Sequence, residues 1–374
     1  MLSLHSHISS SSSPNAERHT RAQLEGSQTF RKIGAGACGA IFAQDGASVV
    51  FKMAKSNDHS ELWSDYVMHT EIFNHFGRFI IDDFRVPECY YFVPRDKEEY
   101  FNKNRGIVEA AEGVCNLPSS VLVTERIHPL PHSTRDHLIE NYCAPRIQEE
   151  ARADPANKDC LVRVYLGSMQ GRTRRGCFSL RNLKLHLNQL LDLNLDVGKL
   201  ARRMGTALAV MHWAAKTDAR DVEFVLGSSA KVSQALGPEQ LKTAKPLSYT
   251  GPASLAHEDF FVRVTELFVL DFNQVRVITL DDEGVAMAVD AWRINDPYYP
   301  RPLGETGAER EIWKAFVMSY LGASLDVLKE EDEGGEGEGG GDGEAVLNLP
   351  WKFILGITEV ERKRKLSRID SSCD

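Results

Sequence analysis

The 374-residue chain has no Cys-x-x-Cys pair; its seven cysteines, at positions 38, 89, 115, 143, 160, 177 and 373, are scattered and not set against paired histidines. That spacing excludes zinc-finger and dithiol redox motifs, and an odd, dispersed count suits a reducing compartment. No apolar run comes near the roughly 20 residues that a membrane span needs. The first residues, Met1 to His5 and then the serine run 9–13, lack both the apolar centre of a secretory signal and the spaced arginines of a transit peptide. A cytoplasmic protein with no membrane partner is expected. Basic residues are missing from one stretch: residues 330–344 hold eight acids and no Lys or Arg, so eight of the nine net negative charges sit there and the remainder carries −1. A nearly neutral body can present separate basic and acidic faces. With 42% hydrophobic and 26% charged residues, the chain can bury a sizeable core in one large or two ordinary domains.

Residues 1–27 are Ser-rich and read as disordered. A strand, glycine turn and return strand are expected over residues 30–55, with Ile41, Phe42 and Ala43 pairing across the Asp45-Gly46 turn with Val49, Val50 and Phe51. Apolar positions 62, 66, 67, 72, 73 and 76 predict a helix that carries Glu71. Residues 89–93 and 121–127 read as buried strands. Leu200, Met204, Leu208 and Met211 form a helical stripe behind a possible Asp196 cap. After His212-Trp213, which reads as core packing, come Asp218, Asp221 and Glu223, an aperiodic insertion to about residue 258, and a strand over 261–270. Residues 284–302 and a helix over 313–321 complete the helical part. The segment 329–345 reads as an acidic Gly-rich linker and 346–374 as a tail ending in Arg362, Lys363, Arg364 and Lys365.

Three ordered parts carry chemistry: the loop with Gly34, Gly36 and Gly39, then Lys52 closing an apolar strand, and Asp271-Phe272-Asn273 closing another. In a protein kinase a glycine loop covers phosphates, a helix carboxylate holds the strand lysine, and carboxylates bind metal and orient the nucleophile. The order predicts an α+β, two-lobed protein-kinase-like fold, with a small β-rich N-lobe over 28–128 and a larger helical C-lobe over 129–328. Lys52 and Glu71 are expected to pair beside the glycine loop as cofactor-binding residues. Asp218, Asp221, Glu223 and Asp271 are expected to converge as catalytic residues in one acidic cavity, where carboxylates raise one another's pKa unless a cation intervenes. Two magnesium ions would fit there, and so would a substrate guanidinium or amine. Glu223 stands where a metal-binding Asn is usual, Asn273 where Gly is usual, and Lys216-Thr217 precede Asp218 in place of His-Arg. A basic stretch, with Arg163, Arg172, Arg174, Arg175, Arg181 and Lys184 interleaved by Tyr165 and Phe178, reads either as a solvated loop or as a surface following a phosphate backbone.

The segments Ile33-Gly34-Ala35-Gly36, Phe51-Lys52, Asp218-Ala219-Arg220-Asp221-Val222-Glu223-Phe224-Val225-Leu226-Gly227, Val269-Leu270-Asp271-Phe272-Asn273 and Asn295-Asp296-Pro297-Tyr298-Tyr299-Pro300 resemble a fungal family with a divergent kinase-like domain, sometimes labelled zinc-finger proteins. The fungal arginine-containing cyclodipeptide synthases lie within or close to it. The resemblance covers about residues 28–325. It implies an aminoacyltransferase of secondary metabolism that condenses arginine with a second amino acid into a diketopiperazine, taking both from aminoacyl-tRNAs. No cofactor is then required, since the esters are already activated; the acidic cavity suits arginine, and Arg172, Arg174, Arg175, Arg181 and Lys184 suit tRNA. The alternatives are a phosphotransferase using ATP and magnesium with Lys52, Asp218 and Asp271, and a non-catalytic pseudokinase.

Overall fold

The computed structural model describes residues 29–36, 38–45, 47–79, 81, 84–172, 178–181, 183–232, 242, 263–334 and 343–370. In chain order its strands are β1 (Arg31–Ala35), β2 (Gly39–Ala43), β3 (Val49–Ala54), β4 (Phe84–Arg85), β5 (Cys89–Val93), β6 (Val121–Glu125), β7 (Val162–Tyr165), β8 (Leu183–His186), β9 (Glu223–Val232) and β10 (Arg263–Leu270). The helices are α1 (Ser60–Phe76), α2 (Glu98–Lys103), α3 (Arg105–Ala111), α4 (His132–Tyr142), α5 (Gln148–Ala153), α6 (Leu187–Asp192) and α7 (Val197–Ala209). They continue with α8 (Asp282–Ile294), α9 (Gly307–Gly334), α10 (Gly343–Leu347) and α11 (Leu349–Asp370).

The chain is mixed α+β, with two separate five-stranded sheets. The first runs β1-β2-β3-β6-β5 and is antiparallel throughout. Its β2–β3 hairpin sets Phe42 opposite Phe51 and Ile41 opposite Lys52, the pairing expected across the turn at Asp45. Alternation along the strands sends Ala40, Phe42, Met53, Val121 and Val123 into a core closed by Ile107 and Ala111 of α3. The second sheet runs β4-β10-β9-β7-β8 and is mixed. Phe224, Leu226, Leu267 and Val269 of its central strands join the larger core.

That larger core is mostly helical. The stripe Leu200, Met204, Leu208 and Met211 is buried, and Asp196 caps α7 by accepting the Lys199 N–H at 2.7 Å. Helix α7 lies against α9 so closely that a Cβ on Gly205 would stand 2.6 Å from the Phe316 carbonyl oxygen. The C-terminal segment, expected to be a tail, is helix α11, whose Leu349, Phe353, Ile354 and Ile357 are buried in the same core. Residues 330–334 of the expected linker continue α9, and 343–345 begin α10. Residues 335–342, the Ser-rich start and most of the 233–262 insertion lie outside the described residues. No helix among the described residues is long and apolar enough to cross a membrane.

Candidate active site

The ends of β3, β9 and β10 and the glycine loop meet at one cleft. Two adjoining cavities of about 120 and 130 Å³ occupy it, and both are lined by Ile33, Ile41, Ile127, Leu161, Leu270 and Asp271. Gly34 and Gly36 line the first cavity, and a Cβ at Gly36 would stand 3.8 Å from the Asp271 carboxylate. The loop therefore lies directly over Asp271. The Gly36 N–H donates to the Gly39 carbonyl at 2.9 Å, and Lys55 Nζ holds the Gly36 carbonyl at 2.6 Å. At Gly39 a side chain would meet Lys52 Cγ at 2.9 Å and the Met53 carbonyl at 3.0 Å, so only glycine lets the loop pass the lysine.

Lys52 is held by Asp65 and not by Glu71. Its Nζ donates to Asp65 Oδ2 at 2.6 Å and to Asp271 Oδ1 at 2.8 Å. Glu71, half exposed on the other side of α1, pairs with His75 at 3.1 Å. The correction follows from helix geometry: Leu62, Asp65, His69 and Ile72 share the buried face of α1, and at 100° per residue Glu71 stands about 140° from the centre of that face. Asp65 also accepts the Phe272 N–H at 3.0 Å, which fixes the backbone just beyond Asp271. Asp271 itself has a left-handed φ of 68°, a strained conformation that persists where neighbours over-determine it. Burial works against charge on both Lys52 and Asp65. Each nonetheless favours its ionised form, Lys52 because Asp65 and then Asp271 hold it well above the usual lysine range, Asp65 because Lys52 holds it below the usual carboxylate range.

The four acids expected in one cavity separate into two groups. Asp218, 1% exposed, is enclosed by donors: Oδ1 accepts the N–H groups of Arg220 at 3.0 Å and Arg276 at 2.9 Å, and Oδ2 accepts Arg276 Nε at 2.5 Å. It ties the 218–221 loop to the segment after β10 and lines neither cavity. Asp221, Glu223 and Asp271 do lie together. Glu223 sits opposite Leu270, next to Asp271, and burial first, then Asp271, raises the Asp221 pKa. The backbone of Asp221, at φ 60°, is fixed by Asn295, which accepts its N–H at 2.6 Å and donates to the Ala219 carbonyl at 2.8 Å. Gln274 Nε2 donates to Asp221 Oδ2 at 2.6 Å.

A protein cation already faces Glu223. Arg163, paired with Val225 across the β7–β9 ladder, lies on the same sheet face as Glu223 two residues away and binds it at two points, Nε to Oε2 at 2.9 Å and Nη2 to Oε1. Burial, with Asp271 and Asp221 adding to it, raises the Glu223 carboxyl above the usual range, and the two-point contact with Arg163 offsets part of that rise. Arg163 thus belongs to the cleft and not to an outer basic loop. Arg181 likewise lines the cleft, whereas Lys184 is exposed with its ammonium 5.6 Å from the Tyr165 ring. Tyr165 is 9% exposed and packed against His186 and Tyr298, so it is not a platform for stacking a base. Arg172 is exposed, and Arg174 and Arg175 lie outside the described residues. At the opposite end of the cleft stands a cluster that sequence reading missed: Arg31, Arg126 and Arg181 around the buried Asp159. Sequence reading also missed Asp65, because the exposed apolar Trp63 and Val67 obscure the buried face of α1; the partner of Arg163 follows from strand alternation once β7 and β9 are paired. The Asp159 cluster joins four distant segments and leaves no local signal.

A family model described as "Zinc finger protein" matches residues 267–332. That segment spans β10 beyond Glu266, Asp271, α8 and most of α9, and it contains no cysteine or histidine. A zinc finger needs four Cys or His ligands, and among the described residues no three His, Cys, Asp or Glu groups are placed to hold a metal. The residues do not fit the zinc of that description. No curated protein matches the chain.

Proposed function

We propose that this cleft belongs to a kinase-like two-lobed fold adapted to aminoacyl transfer, and that the chain condenses arginine with a second amino acid into a cyclic dipeptide. The fold reading is supported by a glycine loop over Asp271, a β3 lysine held by a carboxylate of the following helix, and Asp271-Phe272 after a strand, which are the parts a kinase assembles. The observation that carries the functional reading is the withdrawal of Asp218. A phosphotransferase needs its catalytic-loop Asp free to accept the substrate hydroxyl proton, and here both oxygens of that Asp are occupied by Arg220 and Arg276 donors. Asp271 remains at the cavity, with Asp221 outside its lining but close enough for Asp271 to raise its pKa, and the two acids suit a cation.

The reaction follows from this arrangement. Asp271 and Asp221 attract the substrate guanidinium or ammonium. Asp221, with its pKa raised by burial and by Asp271, is the group best placed to take a proton from an α-ammonium. The freed amine attacks the carbonyl of the second ester; the C–N bond forms, the C–O bond to ribose breaks, and the proton passes to the departing ribose oxygen. Attack by the second amine on the first ester closes the ring in the same way. Both bonds use ester activation, so no ATP is consumed. The identity of the substrates, arginyl-tRNA and a second aminoacyl-tRNA, comes from the sequence resemblance.

The test supplies the purified protein with a mixture of charged tRNAs lacking ATP, and separately with ATP and magnesium lacking tRNA. A cyclic dipeptide in the first, lost in Asp221→Asn and Asp271→Asn variants that remain folded, supports the reading. Phosphate transfer in the second, with no dipeptide in the first, overturns it in favour of the phosphotransferase.

A further inference from the structure

We propose that Arg31, Arg126 and Arg181 form an anion subsite at the end of the cleft remote from Asp221, built to receive a phosphate of a nucleotide ligand. Three guanidinium groups converge there on a single buried carboxylate. Arg31 holds Asp159 at two points, one of them 2.8 Å, while Arg126 Nη2 and Arg181 Nη2 stand at 3.6 and 3.7 Å. Asp45 takes the remaining Nε of Arg31 at 2.7 Å from an exposed position. Within the cleft wall the charge is therefore positive.

The second observation concerns hydrogen bonds not made. Arg126 is 7% exposed, yet its Nε is buried without a partner, as is Nε of Arg181. Arg126 spends Nη1 on the Gln44 and Ala47 carbonyls at 3.0 and 3.4 Å, which fixes the guanidinium in place. A buried donor without an acceptor is unfavourable, and burial together with Arg31 disfavours the charge of Arg126. An anion in the adjoining cavity, which Arg126 and Arg181 both line, would offset the second of these, the buried charge of Arg126. Arg126, Arg181 and Asp159 line one end of the 120 Å³ cavity whose other end is lined by Glu223 and Asp271; one water needs only roughly 10–15 Å³ by this measure. Guanidinium forks match phosphate oxygens two at a time.

The cleft is thus bipolar: acids for a cationic group and arginines for an anionic one. This deepens the proposed function, on which it rests for the nucleotide's identity alone, because the 3′ end of a charged tRNA carries phosphates next to its aminoacyl group. A free mononucleotide offers the same chemistry. The probes are adenosine, 5′-AMP and the trinucleotide CpCpA, titrated by calorimetry at low salt into wild-type protein and the Arg181→Gln and Arg126→Met variants. AMP or CpCpA binding at least about tenfold tighter than adenosine, as expected for one charge-assisted contact, with the advantage lost in Arg181→Gln, supports the subsite. Preference for CpCpA assigns it to RNA and preference for AMP to a free nucleotide. Equal binding of all three probes, or an undiminished advantage in Arg181→Gln, overturns it. If Arg126→Met does not fold, Arg181→Gln, whose side chain is 28% exposed, decides alone. A phosphate advantage without dipeptide synthesis leaves the subsite standing and removes only the synthase reading.

Discussion

Asp65 and Glu71 sit on one helix, yet only Asp65 is energetically tied to the cleft. Its side chain is 4% exposed and bonded to Lys52, and removing one partner of a buried ion pair costs about 3–5 kcal/mol. Asp65→Ala should therefore lower unfolding free energy by about 3 kcal/mol, while Glu71→Ala, at an exposed i,i+4 pair, should stay within about 0.5 kcal/mol; chemical denaturation distinguishes them. The Asp65 carboxyl is depressed in the folded state, so its contribution is present above the unfolded value of about 3.9 and is lost as pH falls below it. Histidine acts earlier. Burial lowers the His212 pKa to about 3, against about 6.5 unfolded, so the folded state resists a proton that the unfolded chain accepts. Stability should be full above pH 6.5 and fall by about 1.4 kcal/mol per pH unit below it from this residue. Unfolding at pH 7 and pH 5 should show the loss in wild type and a loss about 2 kcal/mol smaller in His212→Phe. At this scale Lys52, Asp271 and Glu223 were legible from type and order. Asp218 was not: its position after the helix marks it for chemistry, and only the fold shows Arg276 enclosing it.

Elements were read more reliably than their faces. The β2–β3 register and the α7 stripe follow from alternation and from 3.6-residue periodicity, and both hold. Helix α1 was expected in place, but its amphipathicity misleads, since the large apolar Trp63 and Val67 are 49% and 38% exposed while the polar Asp65 and His69 are buried. A helix that brings an ion pair to a cleft buries polar groups, and simple polarity counting then points to the wrong side. The close approach of α7 to α9 was invisible in sequence, because Gly205 reads as a weak spot in a helix. A Cβ there would meet backbone at 2.6 Å, and backbone cannot rotate away. Gly205→Ala, favourable for an isolated helix by about 1 kcal/mol, should instead destabilise the protein by about 1–3 kcal/mol through overpacking, measured as a lower Tm.

For the whole molecule, charge and composition indicated a sizeable core with an appended tail, and the structure moves the boundary. Helix α11 looks polar because of Arg362, Lys363, Arg364 and Lys365, yet its first turns insert Phe353 between Tyr320 and His212, with ring centroids at 5.1 and 4.8 Å. Phe353→Ala should cost about 3–5 kcal/mol, and a chain ending at residue 348 should lose cooperative unfolding by circular dichroism. The tertiary arrangement also decides the site, because Lys52 and Arg163 bring internal cations to what sequence presents as an all-acidic cavity. Asp221, whose side chain is held by the neutral Gln274 amide, and the edge of Asp271 away from Lys52 are the acids expected to read a substrate cation. The most direct measurement compares tRNA acylated with arginine against the same tRNA acylated with citrulline, its neutral isostere, each supplied with a second charged tRNA and without ATP. Cyclic dipeptide forming from the arginyl substrate at least about a hundredfold faster, the effect of losing one buried charge-assisted contact of about 3 kcal/mol, is the predicted result; equal rates, or no dipeptide from either substrate, would contradict the account.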